Sequence, residues 1–321
     1  MTMQTYNTVT SQNRLSNENG EFYQRAMLKA LKERAVIFPY GKKAPIPKNA
    51  GGTTSWRSLQ IPSAVTTAIT EGTTPNSIDL TINKYSASVS QYGAWTKISD
   101  FLDMAGLDPL LTEVAEMFGD HAAISIDKIV ANVLAGTTNS IFAGGKTARS
   151  ALAAGDVLCS EDIIKARNEM VKNNVPQIRL TNGSMGYVAF IHPDNVLKLM
   201  NESGGAWATF NSGGSTEGLA QFRSGEIGQM YGIHFVETTS IPNFTDGGSG
   251  GNLSGKKTII IGADAFGVPD IAGSSKPEIL VYGNGNTENP MALYKTVAWK
   301  ATFAAVLFHA KATLCIESLD V

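Results

Sequence analysis

The stretch PSAVTTAITEGTTPNSI, residues 62–78, is what any fold for this chain has to accommodate first. It is rich in Thr, carries Pro and Gly, and shows neither the alternation nor the helical spacing that builds a core. Strand-like segments flank it: TTSWRSLQI (53–61), and LTINKYSASVSQYGAWTKIS (80–99), which is long, β-branched and aromatic. Together they predict a long antiparallel hairpin with an extended tip. Such an arm has almost nothing of its own to bury, so it is expected to rest on something else.

The rest of the chain is large enough to supply a core. Its 321 residues suit one large or two intimate domains. Charged residues make up 17%, below the usual quarter, which points to a surface that partners cover. A net charge of −2 leaves no basic excess for tight binding to a nucleic-acid backbone. Two distant cysteines, Cys159 and Cys315, offer neither zinc spacing nor a disulfide framework and are expected as buried free thiols in a reducing compartment. Residues 1–20 are polar and read as a flexible arm without a signal-type apolar core. No window reaches the eighteen or so apolar residues of a membrane span, so no membrane partner is expected and the chain is read as soluble and cytosolic.

Further elements follow from spacing. Residues 21–37 place Phe22, Ala26, Met27, Ala30, Leu31 and Ala35 on one helical face, stopped by Pro39 and Gly41. Residues 38–52, with three prolines, read as irregular. Residues 107–136 form the clearest helix, with Asp108 as N-cap, Pro109 at the first helical position and Gly136 ending it. Its stripe is Leu111, Val114, Phe118, Ala122, Ile126, Ile129 and Val133, and its length is on the order of 40 Å. A Gly-rich break at 143–156 is the first boundary candidate. Beyond it lie a helix at 160–174 capped by Ser160, a buried strand at 186–191 and a short helix at 192–203 opened by Pro193 and Asp194. Strands are expected at 233–239, 257–263 and 278–283, and residues 291–318 as two long strands or one bent one. The fold class is α+β.

The chemical motifs fail one by one. Gly145, Lys146 and Thr147 end like a P-loop, but Ser140 stands where its first glycine belongs. Gly250, Gly255 and Lys256 come closer, yet Lys257 replaces the magnesium-binding Ser/Thr and a strand follows instead of a helix. Gly247, Ser249 and Gly251 match G-x-S-x-G inside DGGSGGNLSG, which reads as a flexible linker and not a nucleophile elbow. Gly225, Gly228 and Gly232, before a strand, are spaced as turn glycines and not as a dinucleotide fingerprint. His234 and Glu237 fall on opposite faces of a strand. His192 reads as a helix-start residue and His309 as a half-buried strand position, and with His121 the four histidines form no metal spacing. Asp100, Asp103 and Asp108 are accounted for by capping and solvation. No catalytic, cofactor-binding or metal residue is expected, and the chain is read as not an enzyme.

The order of segments resembles a known family. YGKKAPIPKNAGGTTSWRSL, VSQYGAWTKISDFLD, YVAFIHPD and GEIGQMYGIHFVETTSIP, in that order, are similar to major capsid proteins of tailed bacteriophages with the Hong Kong 97-type fold, in the branch typified by the capsid protein of phage N-four. The resemblance runs from about residue 20. It implies an N-terminal arm and helix at 1–40, an extended loop at 41–79, a peripheral domain at 80–150 and 291–321 with a spine helix at 108–135, and an axial domain at 151–290. It further implies self-assembly through pentamers and hexamers into an icosahedral shell around double-stranded DNA, in a virion assembled in the host cytoplasm. Cofactors are none. Partners are other copies, with scaffolding, portal or decoration proteins in some relatives, and packaged DNA held by weak non-specific contact. No Lys–Asn crosslink pair is assignable. The alternatives are an encapsulin-like nanocompartment shell and a soluble α/β nucleotide-binding enzyme.

Overall fold

The computed structural model of the protein describes residues 35–49, 51–59, 62–72, 74–105, 110–180, 183–202, 226–271, 278–282 and 289–320. Along them run β1 (Lys42–Ile46), β2 (Thr53–Leu59), β3 (Ile82–Ser88), β4 (Ser90–Ser99), α1 (Asp100–Ala105), α2 (Leu110–Ala135), β5 (Ser140–Phe142), α3 (Ser160–Lys172), β6 (Ile178–Arg179) and β7 (Met185–Ile191). They continue as α4 (Pro193–Met200), β8 (Glu226–Met230), β9 (Ile233–Glu237), β10 (Asn243–Gly247), β11 (Leu253–Ile261), β12 (Phe266–Ile271), β13 (Glu278–Tyr282), β14 (Tyr294–Phe303), β15 (Val306–Leu307) and β16 (Thr313–Leu319). This is a mixed α+β chain, rich in sheet. The expected helix at 21–37 lies outside the described residues except for 35–37, which are not helical, and the Asp108–Pro109 start of the long helix lies outside them too.

The chain packs as two units. The larger takes in Val36–Ser90, Lys128–Gly273 and Phe303–Val321. At its centre is an eight-stranded sheet in the order β5-β16-β11-β7-β9-β8, with β10 on β11 and β6 on β7. The core strand β7, MGYVAFI, is buried from Gly186 onward and lies antiparallel to β11 and parallel to β9. A continuous apolar run of this kind is what a strand covered on both faces requires. Ile163, Ala166 and Met170 of α3 are fully buried, at the helical spacing the sequence predicts.

Strand β16, TLCIESL, is buried along its whole length yet carries a carboxylate. Arg149 answers it with a two-pronged grip: Nε donates to Glu317 Oε2 and Nη2 to Oε1, both at 2.6 Å. Lys257 adds a second cation 3.4 Å from Oε1. The outer nitrogen of Arg149 forks onto exposed Asp246 at 2.9 Å, and the guanidinium lies 4.8 Å from the Phe244 ring. Hydrogen bonding to Glu317 holds the Arg149 proton even more firmly than usual, and bonding from Arg149 depresses Asp246.

Four expectations are corrected here. The proline-rich segment is not irregular throughout: residues 42–46 form β1, parallel to β12 and ending the order of its sheet path. Pro45 is tolerated because an edge strand leaves one side without ladder bonds. DGGSGGNLSG is no flexible linker but the hairpin turn from β10 to β11, with Gly248 and Gly251 in the left-handed region (φ 77° and 63°) and Gly251 N–H donating to Gly248 C=O. Ser160 does not cap α3: Cys159 occupies that position, and Ser160 gives its N–H and hydroxyl to Glu202. Cys159 is half-buried instead of buried, its thiol donating to Asp162 Oδ2 at 3.2 Å; Cys315 is fully buried as expected.

The second unit takes in Gln91–Asp127 and Ser274–Thr302. Strands β13 and β14 pair antiparallel from Glu278↔Lys300 to Tyr282↔Thr296, and β4 lies along β14. Gly93 permits this crossing, since a Cβ there would sit 2.6 Å from the Trp299 carbonyl. Trp299 Nε1 donates to His121 Nδ1 at 3.0 Å. Helix α2 runs 26 residues, about 39 Å, and stops at Gly136 as the sequence predicts. Within this unit Phe118, Ala122 and Ile126 are buried; from Lys128 the helix belongs to the larger unit, where Val130 and Leu134 are buried and Ile129 and Val133, expected in the stripe, are only half-buried. A step of four overshoots a full turn by about 40°, so the buried positions wind around the helix, while a stripe at mixed steps of three and four stays on one face and parts from them.

Replacing Arg149 with Ala leaves the buried Glu317 with Lys257 alone. We expect a loss of about 3 kcal/mol in subunit unfolding, the low end for breaking a buried pair, and partial recovery when Glu317→Gln is added; chemical denaturation followed by circular dichroism measures both. Burial pushes the Cys315 thiol up to about 12 and raises that of Cys159. At pH 8 a thiol reagent should therefore label Cys159 slowly and Cys315 only after unfolding, as mass spectrometry of the labelled peptides would show.

Candidate functional site

The residues that looked chemically useful are each taken up by structure. Lys146 follows a single 3-10 turn at Ala143–Gly145 and reaches Asp156 at 3.8 Å, with no helix N-terminus to face a phosphate. Lys256 binds Asp194 at 2.6 Å and stands 3.3 Å from His192 Nε2. Lys257 donates to the Ala135 carbonyl at 3.0 Å, at the C-terminal end of α2, besides facing Glu317. Gly255 gives room to Phe244 and the Ser318 carbonyl. Gly247, Ser249 and Gly251 sit in or beside a strand-to-strand turn, where no nucleophile elbow can form.

The histidines are likewise placed as framework. His192 caps α4, its Nδ1 accepting from the Asp194 N–H at 3.2 Å. His234 is 3% exposed, on β9, while Glu237 ends that strand. Gly232 (φ 77°) and Tyr231 (φ 53°) make a two-residue reversal from β8 into β9, and Gly228 lies at a register shift within β8; Gly225 lies outside the described residues. Asp100 begins α1 and Asp103 pairs with Lys295 at 2.6 Å. Among the described residues no three His, Cys, Asp or Glu side chains are grouped to hold a metal, and no helix is long and apolar enough to cross a membrane. One open depression of about 430 Å³ is lined by Arg149, Lys257, Asp246 and Phe244, but its cations are already paired.

What stands out is the arm. Strands β2 and β3 pair antiparallel in unbroken register, Thr53↔Ser88 through Leu59↔Ile82. Beyond them, every described residue from 62 to 81 is exposed and none is helix or strand. Leu59, Val65, Ile69, Ile78, Leu80 and Ile82 are 52–73% exposed. Covering what remains exposed of each would stabilise by roughly 1 kcal/mol, so the arm gathers apolar surface of the kind that marks an interaction site.

Its root is firm. The inward face of the hairpin sets Trp56 against Tyr85, and both pack on Phe308, at ring-centroid distances of 4.9 and 6.0 Å. Gly267 leaves space for Phe308 and for Trp56, which a Cβ would meet at 2.9 Å. His309 sits just beyond: Nε2 lies 3.1 Å from the Ser58 hydroxyl and Nδ1 2.9 Å from the Tyr85 hydroxyl. In the neutral ring one hydroxyl donates to the bare nitrogen and the other accepts the N–H. Sequence reading placed His309 on a strand; it stands at the N-cap of a 3-10 turn, Ala310–Ala312, and its partners are about 220 to 250 residues away in the chain. The only sequence signal was Trp56 and Tyr85 as the large residues at alternating positions. His309→Ala should loosen the arm without unfolding the sheet: amide exchange at 53–59 and 82–88 rises at least tenfold, while β7 and β11 keep their protection.

Comparison with known proteins gives the family. A family model described as phage capsid protein matches residues 84–315. Among solved structures, the fold is similar to the capsid of Ralstonia phage GP4 (TM-score 0.71, 13% identity, 98% of either chain covered). It is also similar to that of the cyanophage P-SCSP1u (0.66, 14%, 94% of this chain and 93% of the other) and to that of the Helicobacter pylori bacteriophage KHP30 (0.66, 12%, 99% and 100%). A search of curated protein sequences finds no match. With most of its length under the family model, the chain belongs to the phage capsid protein family, whose members are structural proteins.

Proposed function

We propose that this chain is the major capsid subunit of a tailed bacteriophage with Hong Kong 97-type organisation, assembling through pentamers and hexamers into an icosahedral shell around double-stranded DNA. The observation that carries the reading is the arm: its root is anchored by Phe308 and His309, while its outer residues are exposed throughout. In this reading residues 41–79 are the extended loop, 80–150 with 291–321 the peripheral domain, 108–135 its spine, and 151–290 the axial domain. A chain of net charge −2 suits a container that holds DNA without gripping it, because like charges discourage adhesion. Other copies are the main partners, with scaffolding, portal or decoration proteins as candidate further ones, in a virion assembled in the host cytoplasm.

Deleting residues 60–78 tests the assignment. The shortened chain should unfold at a temperature close to that of the full chain, since the deleted residues hold no core, yet form few shells in negative-stain micrographs. Normal shells from the deletion would remove the arm from assembly, and full-length protein that stays monomeric at high concentration would count against the whole reading. Native particles should absorb at 260 nm as nucleic acid does; an enclosed protein cargo in its place would point to a compartment shell.

A further inference from the structure

In the smaller unit, the contact that joins helix α2 to β14 depends on the charge of one side chain. Trp299 of β14 is 4% exposed, and its Nε1–H donates to His121 Nδ1 at 3.0 Å. An indole nitrogen can only donate, so Nδ1 has to be bare and the ring proton sits on Nε2. His121 is exposed, so a proton reaches it from solvent without unfolding. Once the imidazole is charged, both of its nitrogens carry a proton, and Nδ1–H then points at Nε1–H. Two donors cannot bond to each other, and the buried indole is left without its acceptor.

The surroundings do not compensate. On α2 the positions three and four residues away are Met117, Phe118, Ile124 and Ser125, none of them charged. Asp120 is the adjacent residue and projects about 100° around the helix from His121. On β14, strand alternation sets Lys300 on the opposite face from Trp299, while Lys295, on the same face, is held by Asp103 at 2.6 Å. Glu278 of β13 stands across from Lys300 and shares its face. Lys97 of β4 lies over the Tyr294 ring, which belongs to that face too. No carboxylate among these faces the imidazole. His309 at the arm root gives the contrast. Its two partners, Ser58 and Tyr85, are hydroxyls, which accept as readily as they donate, so charging His309 keeps both bonds.

We propose that His121 is a proton-operated latch: the neutral ring holds α2 to β14, and the charged ring releases them while the arm root stays closed. The contact is complete where an imidazole is neutral, above about pH 6.5, and is lost as the pH falls below that range. A buried donor left unpaired shifts an opening equilibrium by roughly tenfold or more. The smaller unit therefore loosens in mild acid ahead of the arm root. The latch works within a single subunit, whether or not subunits assemble.

Amide hydrogen exchange of the full-length chain at pH 8 and pH 5, corrected for the intrinsic effect of pH on exchange and read by mass spectrometry, tests the latch. In the wild type, protection of 118–126 and 296–302 should fall at least tenfold from pH 8 to pH 5, while that of 53–59 and 82–88 changes less than about threefold. Two variants take the proton out of the contact. His121→Gln keeps an acceptor at every pH, and Trp299→Phe removes the donor. In either, protection of 118–126 and 296–302 should stay within about threefold between the two pH values. Equal protection at both pH values in the wild type overturns the proposal, and so does a tenfold acid loss that persists in His121→Gln. An arm root that opens together with α2 overturns it as well, because a global acid transition then accounts for the loss. If Trp299→Phe fails to fold, His121→Gln alone decides.

Discussion

Phe308 and His309 carry a constraint on which the rest of the molecule turns. The segment between Leu59 and Ile82 has no internal core, so the direction of the arm can only be set where it leaves the body. There, Trp56 and Tyr85 close over Phe308, and the two ring nitrogens of His309 reach one hydroxyl on each hairpin strand. Clamping both strands fixes register as well as direction, because a slip of one residue would turn Trp56 and Tyr85 outward and Arg57 and Lys84 inward. The arm is therefore rigid at its root and unsatisfied at its tip. That combination suits a part that must arrive at a distant surface already aligned, since ordering it on arrival would cost conformational entropy.

A firm root requires a firm body. The β16–β11–β7 core holds fully buried aliphatic side chains, yet Glu317 and Asn195 lie within it. Glu317 takes the fork of Arg149, and Asn195 Nδ2 reaches Ser318 and Thr258, while Asn195 Oδ1 is buried without a partner. Buried ion pairs add little to net stability compared with apolar packing, but breaking one is costly, so they penalise any alternative strand arrangement. Arg149 also reaches out to Asp246 beside the β10–β11 turn, tying an otherwise glycine-rich hairpin to the core. The same lysines and glycines that mimic phosphate-binding motifs in the sequence are the ones engaged in this framework.

Much of this was legible in the sequence, and the misses share a cause. The hairpin, the long helix ending at Gly136, the apolar strand at 186–191 and the His192–Asp194 helix start all depend on local patterns, and all are present. The proline-rich segment at 42–46 failed because a parallel partner over 200 residues away, β12, overrides local irregularity. The turn at 248–251 failed because glycine content marks both a disordered linker and a tight hairpin, and only the pairing of β10 with β11 separates them. The site was less visible than the fold. No spacing rule links Ser58 and Tyr85 to His309, and the like-charge opposition of Arg57 and Lys84 exists only once the register is known.

That opposition bears on why a shell subunit can remain unassembled at all. A hairpin optimised for the free state would set opposite charges across the strands and cover its aliphatic residues, and it would gain nothing further by meeting a neighbour. Here both terms are left open in the subunit: repulsion at Arg57–Lys84, and exposed side chains from Leu59 to Ile82. Neither is large enough to unfold a body whose core lies elsewhere. A cost placed on a coreless arm, outside the cooperative core, weakens the free state of the arm without weakening the fold. In the proposed shell, contact would cover the apolar surface of the arm and leave the cooperative core untouched.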